Sequence, residues 1–139
     1  MTASAIQPLL TAFDQLNNAY LEAEVDKALE HQTAITPHLL AILEAVADNP
    51  LRYALEGHNA HVYAAALLAH FQEPAAHRLL IRAFSIKEEL LVDLWGDMTT
   101  ETLPTLLYRT CAGSLTGIMD LISNREADQY VRCAAMEAL

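Results

Sequence analysis

The stretch from His58 to Phe84, HNAHVYAAALLAHFQEPAAHRLLIRAF, constrains this chain more than any other. Two apolar runs at helical spacing flank Glu73-Pro74, and a proline there cannot continue the first run, so the chain turns back as a helical hairpin. In the first run Val62, Ala65, Ala66 and Ala69 fall at i, i+3, i+4 and i+7. Their small side chains share one face and let a neighbouring backbone approach closely. Leu79, Leu80 and Ala83 supply the counterparts on the returning helix. A single hairpin cannot bury both of its faces, so it must be stacked between similar units.

Composition agrees with a helical chain. Hydrophobic residues make up 53% of the 139, yet only 6% are aromatic and 4 are Gly, and the dominant Ala and Leu are strong helix formers. The expectation is one all-α domain over residues 1–139, large enough to fold without metal or disulfide staples. No apolar run approaches the roughly 20 residues of a membrane span, and MTASAIQPLL lacks the positive region of a secretory signal. A cytoplasmic location is expected, with Cys111 and Cys133 as buried reduced thiols. The formal charge of -10 repels phosphate backbones and anionic lipid, which argues against nucleic acid and membrane partners. Arg78 and Arg82 form the one local basic pair, and they are expected to meet acidic residues of the next helix.

Ile6, Leu9, Leu10 and Phe13 give an opening helix behind Pro8, ending in the polar stretch around Asn17 and Asn18. A helix from Leu21 to His31 and one opened by Thr36-Pro37 and running to Asp48 form the first hairpin. Asn49-Pro50 starts a short turn of helix that Gly57 ends. Beyond the central hairpin, Ser85 and Glu88 have capping-box spacing for a helix from about Ile86 to Gly96 carrying Leu90, Leu91, Leu94 and Trp95. Thr99 or Thr100 caps the next helix, Glu101 to Ala112, followed by one with Leu115, Ile118, Met119 and Ile122. Asp128 caps the last.

The final segment echoes the central one. DQYVRCAAMEA from Asp128 aligns with NAHVYAAALLA from Asn59, an offset of two units of about 35 residues, in the range of paired-helix repeats. The pattern D-x-x-V-R-x-A-A-x-x-A-L, Asp128 to Leu139, resembles the core of a HEAT repeat, in which the Asp caps a helix and the Arg, here Arg132, steadies a neighbouring turn; Tyr63 replaces that Arg in the central unit. More closely, ITPHLLAILEAVADNP, HVYAAALLAHFQEPAAHRLLIRAF, WGDMTTETLPTLLYRTCAGSLTGIMDLI and EADQYVRCAAMEAL resemble an uncharacterised bacterial family with HEAT-like repeats, the domain of unknown function numbered 1186. The resemblance implies an α-solenoid and no established activity. Some members continue into further helices and a Cys-rich metal-binding tail, so the chain is expected to be a minimal or truncated form.

Several clusters carry possible chemistry. His58 and His61, spaced i, i+3 near Glu56, are weak candidates for a metal, but no Glu-x-x-His pair and no adjacent His-Glu pair accompanies them, and two histidines in a turn and a first helical turn is the plainer reading. Glu88, Glu89, Asp93, Asp97 and Glu101 are either a solvated face or a docking surface for a basic partner. Trp95 with Tyr108 is either an exposed anchor for a bound segment or, for Trp95, part of the stripe of Leu91 and Leu94. Thr110, Cys111 and Ser114 lack a base at motif spacing, and no cofactor motif is present.

The expectation is an α-solenoid, a HEAT-like superhelix of about four hairpins. It would serve as a non-catalytic scaffold recognising a protein or peptide partner along a concave ridge of Pro37 to Asp48, Pro74 to Phe84 and Glu101 to Ala112. The alternatives are self-assembly as a homo-oligomer through the stripe of Val131, Ala134, Ala135 and Ala138, and a metal-dependent enzyme at His58 and His61.

Overall fold

A computed structural model describes residues 3–14 and 21–139; Asn17 and Asn18, where the sequence ends its first helix, lie outside them. Eleven helices and no strand are found among the described residues: α1 Ala3–Asp14, α2 Glu22–Glu30, α3 Gln32–Asp48, α4 Pro50–Leu55, α5 Ala60–His70, α6 Ala75–Phe84, α7 Glu88–Leu94, α8 Met98–Glu101, α9 Leu103–Thr110, α10 Thr116–Ser123 and α11 Gln129–Ala138. The chain is all-α.

The clean stripes bury as helical period dictates. In α6, Ala76, Leu79, Leu80, Ala83 and Phe84 face inward; in α9, Leu103, Leu106, Leu107 and Thr110; in α11, Val131, Ala134, Ala135 and Ala138. α3 presents Ile35, Leu39, Leu43 and Val46 to α5 and α6. α9 then covers α5 and α6, and α11 covers α9 and α10. Because α5 also touches α1, it is enclosed, and Ala60, His61, Ala64, Ala65, Leu67, Leu68 and Ala69 are all buried. The expected single stripe on α5 therefore fails at two positions: Ala66 is exposed and Val62 only half-buried.

Helix ends follow local chemistry where the cap is local. The Asn49 side chain accepts from the Arg52 N–H, and Asp128 from the Tyr130 N–H at 2.8 Å. Gly57, Gly96 and Gly113 take positive φ, as glycine permits. Three expected starts move. α3 begins at Gln32, with Pro37 inside it and the Thr36 hydroxyl donating to the Gln32 carbonyl at 2.6 Å. Only His31 separates α2 from α3, and α3 packs mainly on α5 and α6 rather than pairing with α2. The Ser85 hydroxyl bonds backward to the Ile81 carbonyl instead of capping forward, so α7 starts at Glu88. Thr99 and Thr100 lie inside α8.

Further expectations are corrected by burial. Cys133 is exposed while Cys111 is buried. On α10 the inward residues are Ile118 and Leu121, and Leu115 and Met119 face outward. Arg82 pairs with Asp48 of the preceding α3, not with the next helix. The stripe of Val131, Ala134, Ala135 and Ala138 is buried where α11 packs on α9 and α10, while Tyr130 and Met136 of the same helix are exposed.

Candidate functional site

α1, α3 and α4 leave a cleft of about 700 Å³ between them. Leu10, Ala41, Ile42, Ala45 and Ala60 give it an apolar lining, and Asp14, Arg52, Glu56 and His58 gather at one end. The size is that of a small-molecule or peptide side-chain site.

Asp14, the last residue of α1, organises the charged end. Asn59 offers α5 no side-chain cap, and Asp14 supplies it from 45 residues away: Oδ1 accepts the N–H groups of Asn59 at 3.0 Å and Ala60 at 3.1 Å. Oδ2 accepts from Nδ1 of His58 at 2.7 Å. The other His58 nitrogen donates to Glu56 at 2.9 Å, and Arg52 donates to the second Glu56 oxygen at 3.3 Å. Asp14, His58, Glu56 and Arg52 therefore form one continuous chain of charge-assisted bonds.

The electrostatics follow. The bond to Asp14 raises His58 above its ordinary range against an opposing effect of burial, with Glu56 adding to the rise. Burial would raise Asp14, but the bonds from His58, Ala60 and Asn59 together outweigh it and hold its carboxyl below the usual range. Glu56 is likewise lowered, first by His58 and then by Arg52. Burial, with the Asp14 charge second, pushes the Tyr53 phenol well up, so it stays neutral against the His58 ring at 4.4 Å. An imidazole whose two nitrogens both donate to carboxylates is an imidazolium with no lone pair left. While protonated it has no nitrogen with which to act as a general base.

The candidate metal pair separates. His58 enters the charged chain, whereas His61 is buried and its Nε2 donates to the Leu94 carbonyl. Burial lowers His61, so its ring is neutral, edge-on to Trp95 at 4.7 Å. No group of three or more His, Cys, Asp or Glu side chains among the described residues is arranged to hold a metal ion.

Trp95 is no exposed anchor. It is 3% exposed, stacked on Phe84 at 4.3 Å, with Nε1 donating to the Ala83 carbonyl at 3.2 Å. Tyr108 is exposed on α9, so the two aromatics do not form one surface. Glu88, Glu89, Asp93 and Asp97 are all exposed along α7 and the turn after it. Sequence reasoning missed Asp14 and Tyr53, because nothing local marks a cap delivered by a distant helix.

Relatives carry the same architecture question without a function attached. Two proteins named only as uncharacterised, from Chlamydia muridarum and Chlamydia trachomatis serovar D, are each 33% identical to this chain over 125 residues. The match covers 88% of this chain but 50% and 49% of those proteins, so the chain spans about half the length of the curated relatives it matches. No solved structure matches. The family described as protein of unknown function (DUF1186) matches residues 5–139, and the chain belongs to that family.

Proposed function

We propose that this chain is a HEAT-like α-solenoid acting as a non-catalytic protein-interaction module, with a segment of a protein partner held in the cleft over α3. The single observation that carries this reading is the cleft itself, because Ala41, Ile42 and Ala45 line it from the helix expected to head the concave ridge. Two further features support it. α3 packs on both helices of the central pair, α5 and α6, and α9 packs on both as well, so the pair lies between two further helices. The Arg132 Nε donates to the Ile122 carbonyl at 2.9 Å, and Tyr63, at the equivalent position, has its hydroxyl 3.4 Å from the Leu21 N–H. Each thus steadies a preceding turn, as the HEAT pattern asks of that position.

Binding is favoured over catalysis because Asp14, His58 and Glu56, at the charged end of the cleft, are engaged with one another. A photo-crosslinking residue placed at Ala45 in cells, with Asp26 as a surface control, tests the reading. One partner protein is expected at position 45 and not at 26, and Ala41→Trp, which fills the cleft from an exposed position, should abolish it. Identical crosslinks at both positions, or none at 45, would sink it.

A further inference from the structure

α4 and α7 pack against each other, and large apolar side chains are left uncovered, two on α4 and one on α7. On α4, Leu51 and Leu55 lie one turn apart and are 55% and 78% exposed, while Tyr53, Arg52 and Glu56 turn to the cleft. On α7, Val92 is 66% exposed. Helical spacing places Val92 between Glu88 and Glu89 on the outer face with Asp93 beside them, while Leu91 and Leu94 point into the core. The three carboxylates are exposed, and among the described residues none pairs with a base. A scattered exposed leucine needs no explanation, but here two short helices packed on each other carry Leu51 and Leu55 on one and, on the other, Val92 among three unpaired carboxylates.

We propose that this α4–α7 edge docks a basic amphipathic helix of a partner protein. Leu51, Leu55 and Val92 receive its apolar stripe, and Glu88, Glu89 and Asp93 receive the Lys or Arg residues flanking that stripe. Charge selects the occupant: a chain of formal charge -10 disfavours a second copy of itself and anionic lipid, whereas a cationic helix is drawn in. The surface lies on the side of α4 away from the cleft, so it stands independently of the function proposed above.

Fluorescence anisotropy tests it with a labelled Leu/Lys amphipathic peptide of about fifteen residues and a Leu/Glu peptide of the same apolar pattern. The Lys peptide is expected to bind and the Glu peptide not. Glu88→Lys with Glu89→Lys, and separately the charge-neutral Leu55→Ser with Val92→Ser, should each weaken binding about tenfold or more. Glu22→Lys with Asp26→Lys alters net charge as much as the first pair but on another exposed face, and should change binding less than about twofold. Far-ultraviolet circular dichroism confirms that each variant is folded. Equal loss in the Glu22/Asp26 control would reduce the effect to overall charge and overturn the proposal. So would unchanged binding by the serine variant, failure of the Lys peptide to bind, or self-association in sedimentation velocity that the serine variant abolishes, which would assign the surface to a second copy.

Discussion

Asp14 joins the end of α1 to His58 and to the start of α5. It caps α5, holds His58 and closes one end of the cleft. Asp14→Ala removes an N-cap as well as an ion-pair partner, and should cost about 1–2 kcal/mol in urea unfolding. Asp14→Asn keeps an oxygen for the Asn59 and Ala60 N–H groups and should cost less; equal losses would mean that the cap contributes nothing. His58 also makes stability depend on pH. Its folded pKa is raised, so its contribution is complete below the unfolded value of about 6.5 and is lost as pH rises through the folded value. Asp14 and Glu56 are lowered, so theirs is complete above about pH 4.5 and is lost as pH falls through their folded values. The stability difference between the natural chain and His58→Gln should therefore be greatest between about pH 4.5 and 6.5 and shrink on either side. Because the His58 and Asp14 side chains are 32% and 35% exposed, solvent screening limits it to about 1 kcal/mol or less. A difference that grows above pH 8 would contradict the assignment.

At the scale of the helix, what the sequence made legible was local. Asn49 and Asp128 cap because their own i+3 and i+2 N–H groups lie within reach. Thr36 and Ser85 were misread because a hydroxyl can equally bond back to the carbonyl four residues before it, and only the path of the neighbouring chain decides which. The end of α5 shows the same limit, since Arg109 on α9 donates to the Ala69 and His70 carbonyls from 40 and 39 residues away. Close approach of helices is similarly invisible in a stripe pattern. The Thr110 hydroxyl spends its proton on the Leu106 carbonyl and so accepts from His77 Nδ1, leaving Nε2 bare against Gly117 of α10. A methyl group at Gly117 would lie 2.9 Å from that Nε2 and 3.0 Å from Ile81 Cδ1. Gly117→Ala should destabilise by about 1–3 kcal/mol, and His77→Ala in the same background should recover part of the loss. A neutral Gly117→Ala in thermal unfolding would show that α6 and α10 can separate freely.

Across the whole molecule, the sequence conveyed that the chain is all-α but not which surfaces the packing of its helices leaves open. Trp95 belonged to a legible stripe and is buried with it, while the cleft is assembled from α1, α3 and α4 by segments that have no common pattern. The same packing order sets how a local loss spreads. α1 touches α2 and α5, α3 touches α5 and α6, and α11 is reached only through α8, α9 and α10 among the principal contacts. When stability is carried by neighbouring layers, weakening one end lowers protection there first and leaves distant layers near the global limit. Asp14→Ala should therefore speed amide hydrogen exchange in α1, α4 and the first turn of α5 by about tenfold, while Leu106, Leu107, Ala134 and Ala135 in α9 and α11 change little. Measured residue by residue under native conditions, uniform acceleration through α11 would mean that the chain opens as one cooperative unit, and that its layers do not hold their stability separately.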